Sequence, residues 1–211
     1  MLDAILVSYG TINIYNMNYK YTTDWQGAVR QTWPEILKDF KDKPNLNFLE
    51  IGCWEGRTTN WLFDNILTHR SSKMTVVDVF KGSPEETGMN GLDLDTIRDR
   101  FEFNTSKRSK KITILEGYSN EVLRQFKPEP IFDVAYIDGT HTAYGTLEDA
   151  ILVHHLIKPG GLIIFDDYGW KDPNRPSPTD SPQLGIDCFC AAFKDFYDVL
   201  VVSYQVTIRK K

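Results

Sequence analysis

Three acids stand at the ends of two apolar runs. Asp138 closes "IFDVAYID", and Asp166–Asp167 closes "GGLIIFDD", 28 residues on from Asp138 to Asp166. Carboxylates gathered at adjacent strand ends repel one another, so at least one has its pKa raised unless a cation neutralises the group. Hard oxygen donors select Mg²⁺, or Mn²⁺ or Ca²⁺, over zinc. Such a cation could hold two neighbouring substrate oxygens, lower the pKa of a hydroxyl and orient it for attack. The structural alternative is that Asp166–Asp167 starts a turn and Asp138 caps the next helix. His141, three residues past Asp138, has a side chain suited to a general base for a sugar or phenol hydroxyl, and suited equally to a scaffold role. Tyr144 is expected to pack over the site, and His154 and His155 to be packing or surface residues.

A second constellation lies upstream. "EIGCWEGRTT" places Gly52 and Gly56 around a strand-to-helix turn, where absent side chains let the backbone approach a ligand. The spacing is G-x-x-x-G, with Trp54 where a dinucleotide site would carry its middle glycine. Asp78 ends the next apolar run, 26 residues past Gly52, where an acid can accept hydrogen bonds from both ribose hydroxyls. Ser119 and Asn120 follow the third run in "LEGYSNEVL". Ser119 reads as a helix N-cap, or the pair presents polar groups to an adenine edge.

These residues need a scaffold that brings strand ends together. Strand-like and helix-like segments alternate from about residue 24. "TTDWQGAVRQTWPEILKDF" opens with a Thr/Asp capping signal and carries Pro34 near a bend or helix start. "NLNFLEIG", "KMTVVDVF", "KITILEG", "IFDVAYID" and "GGLIIFDD" read as strands, and "YDVLVVSYQVTIRK" as a closing hairpin. "TVVDV", "ITIL" and "LIIF" are apolar on both faces, the pattern of parallel strands covered by helices on each side. Repeated strand–helix units imply a doubly wound α/β sheet. Residues 81–93 and 170–183, the latter with four prolines, fit neither pattern and suit lids or binding walls at the carboxyl edge.

The chain of 211 residues, 41% hydrophobic, suits one substantial domain. A net charge of −5 with a pI near 5.4 argues against a nucleic-acid partner, and "KRSKK" at 107–111 reads as a solvated loop. Cys53, Cys188 and Cys190 form neither a disulfide framework nor a zinc set and read as reduced thiols. No apolar run reaches the roughly 18 residues of a membrane span, and the N-terminus lacks a basic region before its apolar run. A cytoplasmic protein with no membrane partner is expected.

Taken in order, E-x-G-x-x-x-G, the acid ending the second strand and G-x-S after the third resemble class I S-adenosylmethionine-dependent methyltransferases. "YIDGTHTAYGTLEDAILVHHLIKPGGLIIFDDY" is similar to the metal-dependent small-molecule O-methyltransferases, especially the branch with macrocin O-methyltransferase and the cephalosporin-biosynthetic methyltransferases. The resemblance covers roughly residues 46 to 209. It implies a Rossmann-like, mostly parallel seven-stranded sheet of order 3-2-1-4-5-7-6 with an antiparallel last strand, over residues 24–211. Residues 1–23 would be an N-terminal cover or dimer segment, leaving a homodimer open.

The same resemblance implies site roles. Glu50, Gly52, Trp54 and Gly56 match the turn around the methionine part of S-adenosylmethionine, and Thr58 a hydroxyl that contacts its carboxylate. Asp78 matches the ribose-binding acid, and Ser119 and Asn120 the adenine contacts. Asp138, Asp166 and Asp167 match the divalent-metal ligands, with Asp138 also beside the cofactor, and His141 stands where related enzymes place a base. The expected reaction is Mg²⁺-assisted O-methylation of a small-molecule hydroxyl, such as that of a sugar or glycoside. The alternatives are a metal-independent methyltransferase, a nicotinamide-dependent oxidoreductase, disfavoured by the missing G-x-G-x-x-G, and a non-enzymatic domain that kept the fold.

Overall fold

The computed structural model describes residues 19–82, 93–172 and 177–211. Among them seven strands form one sheet: β1 (Asn47–Ile51), β2 (Lys73–Asp78), β3 (Ile112–Glu116), β4 (Phe132–Ile137), β5 (Ile157–Phe165), β6 (Tyr197–Val202) and β7 (Val206–Lys210). Their order is β3-β2-β1-β4-β5-β7-β6, as the resemblance implied. The first five strands pair in parallel, and β7 runs antiparallel to both β5 and β6. Chain reversal by parallel crossover needs a helix on a sheet face, which is why the apolar runs are buried on both sides.

Among the described residues six α-helices supply the cover: α1 (Gly27–Ile36), α2 (Arg57–Asn65), α3 (Ile97–Thr105), α4 (Ser119–Leu123), α5 (Ala143–His154) and α6 (Pro182–Ala192). Two apolar layers result. Trp33, Leu62 and Phe101 join Phe48, Val76, Tyr136 and Ile164 on one sheet face. Val153, Ile186 and Phe189 join Leu49, Val77, Ile137 and Phe165 on the other. Residues alternate between layers because successive strand side chains point to opposite faces.

Local details depart from the sequence reading. Thr22 and Asp24 do not cap α1: Gln26 precedes it without a side-chain cap bond, Thr22 bonds to Glu55 through N and Oγ1, both at 2.6 Å, and Asp24 pairs with Arg30 at 2.9 Å. Pro34 lies inside α1 rather than at its start. Tyr118, not Ser119, is the N-cap position of α4. The "KRSKK" run is no free loop; Ser106–Lys111 forms a 3-10 turn in which Arg108 pairs with Asp64 and Lys111 Nζ donates to the carbonyls of Leu67 and His69 at 2.9 and 3.0 Å.

Of the expected N-terminal cover, residues 1–18 lie outside the described residues, as do 83–92 and 173–176 of the two unpatterned segments. The three cysteines are free thiols. Among the described residues no helix is long and apolar enough to cross a membrane.

Candidate functional site

The carboxyl ends of the parallel strands open into a cavity of about 1220 Å³. That exceeds the roughly 300–1,000 Å³ usual for one small ligand, so the space suits two molecules side by side. Its floor follows from register. Glu50 pairs with Tyr136 and with Val76, and Tyr136 pairs with Ile164. Two residues further along each strand, on the same face, stand Asp78, Asp138 and Asp166. A line of acids along one sheet edge is therefore a consequence of a two-residue side-chain period acting on parallel strands.

The turn after β1 is shaped by close approach. Gly52 has φ +79°, and a Cβ there would lie 1.8 Å from the Asp138 carbonyl oxygen. Gly52 N donates to Val77 O at 2.9 Å and Asp138 N to Ile51 O at 2.8 Å, stitching β1 to both neighbours. Trp54 takes the left-handed conformation expected of the absent glycine, with φ +47°, and its ring lies 5.4 Å from Trp25 of the segment before α1. Cys53 and Trp54 both donate backbone N–H bonds to Asp78 Oδ2, at 2.7 and 2.9 Å, and Phe80 N donates to Oδ1 at 2.7 Å. Asp78 thus braces the turn while still lining the cavity; a carboxylate offers about four acceptor sites, and three are used.

Gly52, Trp54, Thr58, Asp78, Ser119, Asn120, Asp138 and His141 all line this one cavity, as do Asp166 and Asp167. Glu50 and Gly56 do not line it. Glu50 is wholly buried beneath the turn, accepting a 2.5 Å bond from Thr59 Oγ1 while Oε1 has no partner. Gly56 stands at the head of α2, where a Cβ would strike Thr105 and Phe101. Both shape the turn from behind. Thr58 is held by Gln26 Nε2 at 3.0 Å.

Burial pushes the Glu50 carboxyl up to about 8, with Thr59 opposing and Asp138 and Asp78 adding to the rise. An acid raised in the folded state contributes stability that is fully present below its unfolded pKa and is lost as pH climbs through the folded value. Glu50→Gln is therefore expected to gain melting temperature relative to the unmodified protein by several degrees between pH 5 and 8.5, measured by calorimetry. An unchanged difference across that window would show Glu50 ionised in the fold.

The acid cluster differs from the sequence expectation. One ligand atom each from Asp138, His141 and Asp167 falls within 4.8 Å of the others. His141 Nε2 is 3.0 Å from Asp167 Oδ2 and 3.8 Å from Asp138 Oδ1. Asp166, expected as the third ligand, has both oxygens engaged: its Oδ2 takes the Tyr136 hydroxyl and its Oδ1 accepts from Asp167 N at 2.8 Å. The same hydroxyl lies 2.9 Å from Asp138 Oδ2. Burial, then the neighbouring Asp166, holds the Asp138 carboxyl well above the carboxylate range, and burial with Asp167 beside it raises Asp166. Asp167 has φ +55°, a conformation costing roughly 1–2 kcal/mol for an L-residue. That bend places its carboxylate 3.0 Å from His141 Nε2. Two carboxylates and an imidazole around one point, with raised acids nearby, fit a divalent cation.

Sequence reasoning passed over several residues. Tyr136 was legible as the residue two before Asp138 and hence on its face. Asp149 lines the cavity but is only 1% exposed, and burial raises its carboxyl to about 7. It falls on the buried stripe of α5 with Thr146, Ala150 and Val153, so an acid on an apolar stripe was the available signal. Trp170, with its ring 5.0 Å from His141, opens the 170–183 segment read as a lid or binding wall, whereas Arg57, over the Tyr21 ring at 4.1 Å, had no signal.

A family model described as a methyltransferase domain matches residues 49–168, more than half of the chain. An uncharacterised protein of Acanthamoeba polyphaga mimivirus is 25% identical over 144 residues, 64% of this chain and 57% of the relative; the chain thus spans under two thirds of that curated relative. A Klebsiella pneumoniae structure assigned to the O-methyltransferases superposes with a TM-score of 0.62 at 16% identity, over 90% of this chain and 83% of that one. A methyltransferase of the mycinamycin biosynthetic pathway, solved with Mg, S-adenosylhomocysteine and mycinamycin VI, superposes with a TM-score of 0.55 at 16% identity, over 90% of this chain and 50% of that one. These structural likenesses establish a shared fold.

Proposed function

We propose a reaction for this chain, which belongs to the methyltransferase-domain family: transfer of the methyl group of S-adenosylmethionine to a hydroxyl of a small molecule, assisted by a divalent cation. One observation carries the reading. A single cavity joins the glycine turn after β1, the acid after β2, the polar pair after β3 and the acid–imidazole cluster after β4 and β5. Open α/β sheets bind ligands at this carboxyl edge.

S-adenosylmethionine would supply an electrophilic methyl group, and a cation between Asp138 and Asp167 would make an acceptor hydroxyl more acidic. The remaining steps belong to the chain. The turn at Gly52–Trp54 and Thr58 bind the amino-acid end of the donor, and Asp78 has one acceptor site left for a ribose hydroxyl. His141 takes the acceptor's proton at the ring nitrogen turned away from Asp167, and the Asp167 carboxylate, 3.0 Å from Nε2, holds the ring and stabilises the imidazolium so formed. Tyr144, Trp170 and Tyr204 line the cavity with aromatic surface, which suits a ring-shaped acceptor such as a sugar or glycoside.

A second reading has His141 as a cation ligand, favoured by the mutual approach of its ring nitrogen and the two carboxylates. One nitrogen lone pair cannot serve both roles at once. His141→Gln separates them: as a base, its loss lowers kcat by roughly 10²–10⁴-fold with Mn²⁺ affinity retained, whereas as a ligand its loss weakens Mn²⁺ binding.

Calorimetric titration with S-adenosylhomocysteine, with and without Mg²⁺, tests the proposal as a whole. Binding by the unmodified chain and a tenfold or larger weakening in Asp78→Asn are expected. No binding at all would sink the methyl-transfer reading, and tight binding of NADH in its place would support the oxidoreductase.

A further inference from the structure

Residues 19–26 form a strap beside the turn after β1, and the bonds that hold it converge on one carboxylate. Three strap residues, Thr23, Trp25 and Gln26, line the cavity. The Trp25 ring lies 5.4 Å from that of Trp54, and Gln26 Nε2 donates to Thr58 Oγ1 at 3.0 Å. The strap thus walls the cavity at Trp54 and Thr58. Between those two positions in the chain stands Glu55, whose side chain is 1% exposed.

Glu55 Oε2 accepts from Thr22 N, and Oε1 from Thr22 Oγ1, both at 2.6 Å. Oε1 also accepts from Arg100 Nε at 2.6 Å; Arg100 in turn donates through Nη2 to Asp93 O at 2.7 Å and through Nη1 to Thr96 Oγ1. The Glu55 carbonyl accepts from Asn104 Nδ2 at 2.9 Å. Asn104 also takes Lys20 N on its Oδ1 at 2.6 Å and donates to Lys20 O at 3.1 Å. Strap, turn and α3 therefore meet at one residue. No residue from 19 to 22 is buried, so polar bonds rather than apolar burial hold this stretch down. Bonds to an ionised acceptor are the strong ones among these.

We infer that Glu55 is a positioning residue for the methyl donor: by fixing Thr22 it seats Trp25 against Trp54 and Gln26 against Thr58. This rests on the methyl-donor reading above. Both oxygens of Glu55 are engaged within the chain, so it acts through the strap rather than on the ligand. A donor that binds fully only when the strap is seated loses affinity in proportion to the fraction of chains in which it is not.

The test pairs calorimetric titration of S-adenosylhomocysteine with hydrogen exchange along the chain, for the unmodified protein, Glu55→Gln, Thr22→Val and Thr22→Ser. Glu55→Gln turns an amide donor towards Thr22 or Arg100; it should weaken binding about tenfold, with strap amides exchanging about tenfold faster and β1 and β4 keeping their protection. Thr22→Val leaves the turn and Arg100 in place and should cost about threefold, while Thr22→Ser keeps the hydroxyl and should restore affinity. Adding Thr22→Val to Glu55→Gln should cost less than about twofold more, since both remove one tie. Should Glu55→Gln fail to fold, the Thr22→Val and Thr22→Ser pair carries the test. If S-adenosylhomocysteine binds the unmodified chain but its affinity is unchanged in Glu55→Gln, or equal in the two Thr22 variants, this inference is overturned and the donor reading stands. Protection lost across the whole sheet in Glu55→Gln would likewise overturn it, as a general support of the fold. If the unmodified chain does not bind S-adenosylhomocysteine, the donor reading fails and takes this inference with it.

Discussion

Asp138→Asn is expected to lower kcat/KM on the order of 10²–10⁴-fold while leaving the melting temperature in metal-free buffer unchanged or higher. Both halves follow from its surroundings. Asp138 is buried at the end of β4, its carboxyl raised by burial and by Asp166, and shares the Tyr136 hydroxyl with that acid. An amide keeps an acceptor for Tyr136 but removes a group that must either be held protonated or add its charge to this crowded sheet edge, so the fold is relieved of that cost. The same change removes a negative donor from the cluster of Asp138, His141 and Asp167. Mn²⁺ titration should therefore show weakened binding, and S-adenosylhomocysteine should still bind. Turnover near that of the unmodified enzyme would rule out the cation-assisted reading and return the metal-independent methyltransferase to first place.

Gly52→Ala is expected to destabilise the protein by about 3 kcal/mol or more, roughly a 6–12 °C fall in melting temperature for a chain of this size. The added carbon would lie 1.8 Å from the Asp138 carbonyl oxygen and 2.5 Å from its carbon. Neither atom can yield, because Asp138 N is bonded to Ile51 O at 2.8 Å and the two strands are in register behind it. Gly160→Ala is the control. It has a comparable φ of +78°, but its Cβ would meet nothing within 4 Å, so it carries only the left-handed strain of about 1–2 kcal/mol. Equal losses in the two variants would mean that backbone conformation, not the approach of β1 to β4, fixes the turn. Should Gly52→Ala fold at all, it should bind S-adenosylhomocysteine poorly, since the turn and Asp138 move together.

The architecture was open to reading because burial on both faces leaves continuous apolar runs such as "TVVDV" and "LIIF", and acids that interrupt such runs mark where each strand leaves the sheet. Asp78, Asp138 and Asp166 were found that way, and all three line the cavity. The strand order came from resemblance to a family, since apolar pattern alone does not say which strands are neighbours. Glu50 was read with the turn by its motif, and it lies on β1 beneath that turn; motif spacing does not distinguish a residue that faces ligand from one that supports the turn beneath. Helix ends were less readable. The Thr22–Asp24 signal looks like a cap, but tertiary partners, Glu55 and Arg30, take those side chains.

What the sequence determined by itself was a doubly wound sheet whose exit loops carry acids, glycines and one histidine, because these depend on periodicity and residue type along the chain. What only the tertiary structure decided was the division of labour among them. Asp166 and Asp167 are adjacent in sequence, but a left-handed turn at Asp167 sends one carboxylate to Tyr136 and the other to His141. Asp149 was one acid among several in a helix until packing left its Oδ2 buried without a hydrogen-bond partner, on a residue that lines the cavity. Which lone pairs are spent and which remain open is settled by groups far apart in the chain, and so it becomes visible only once they are brought together.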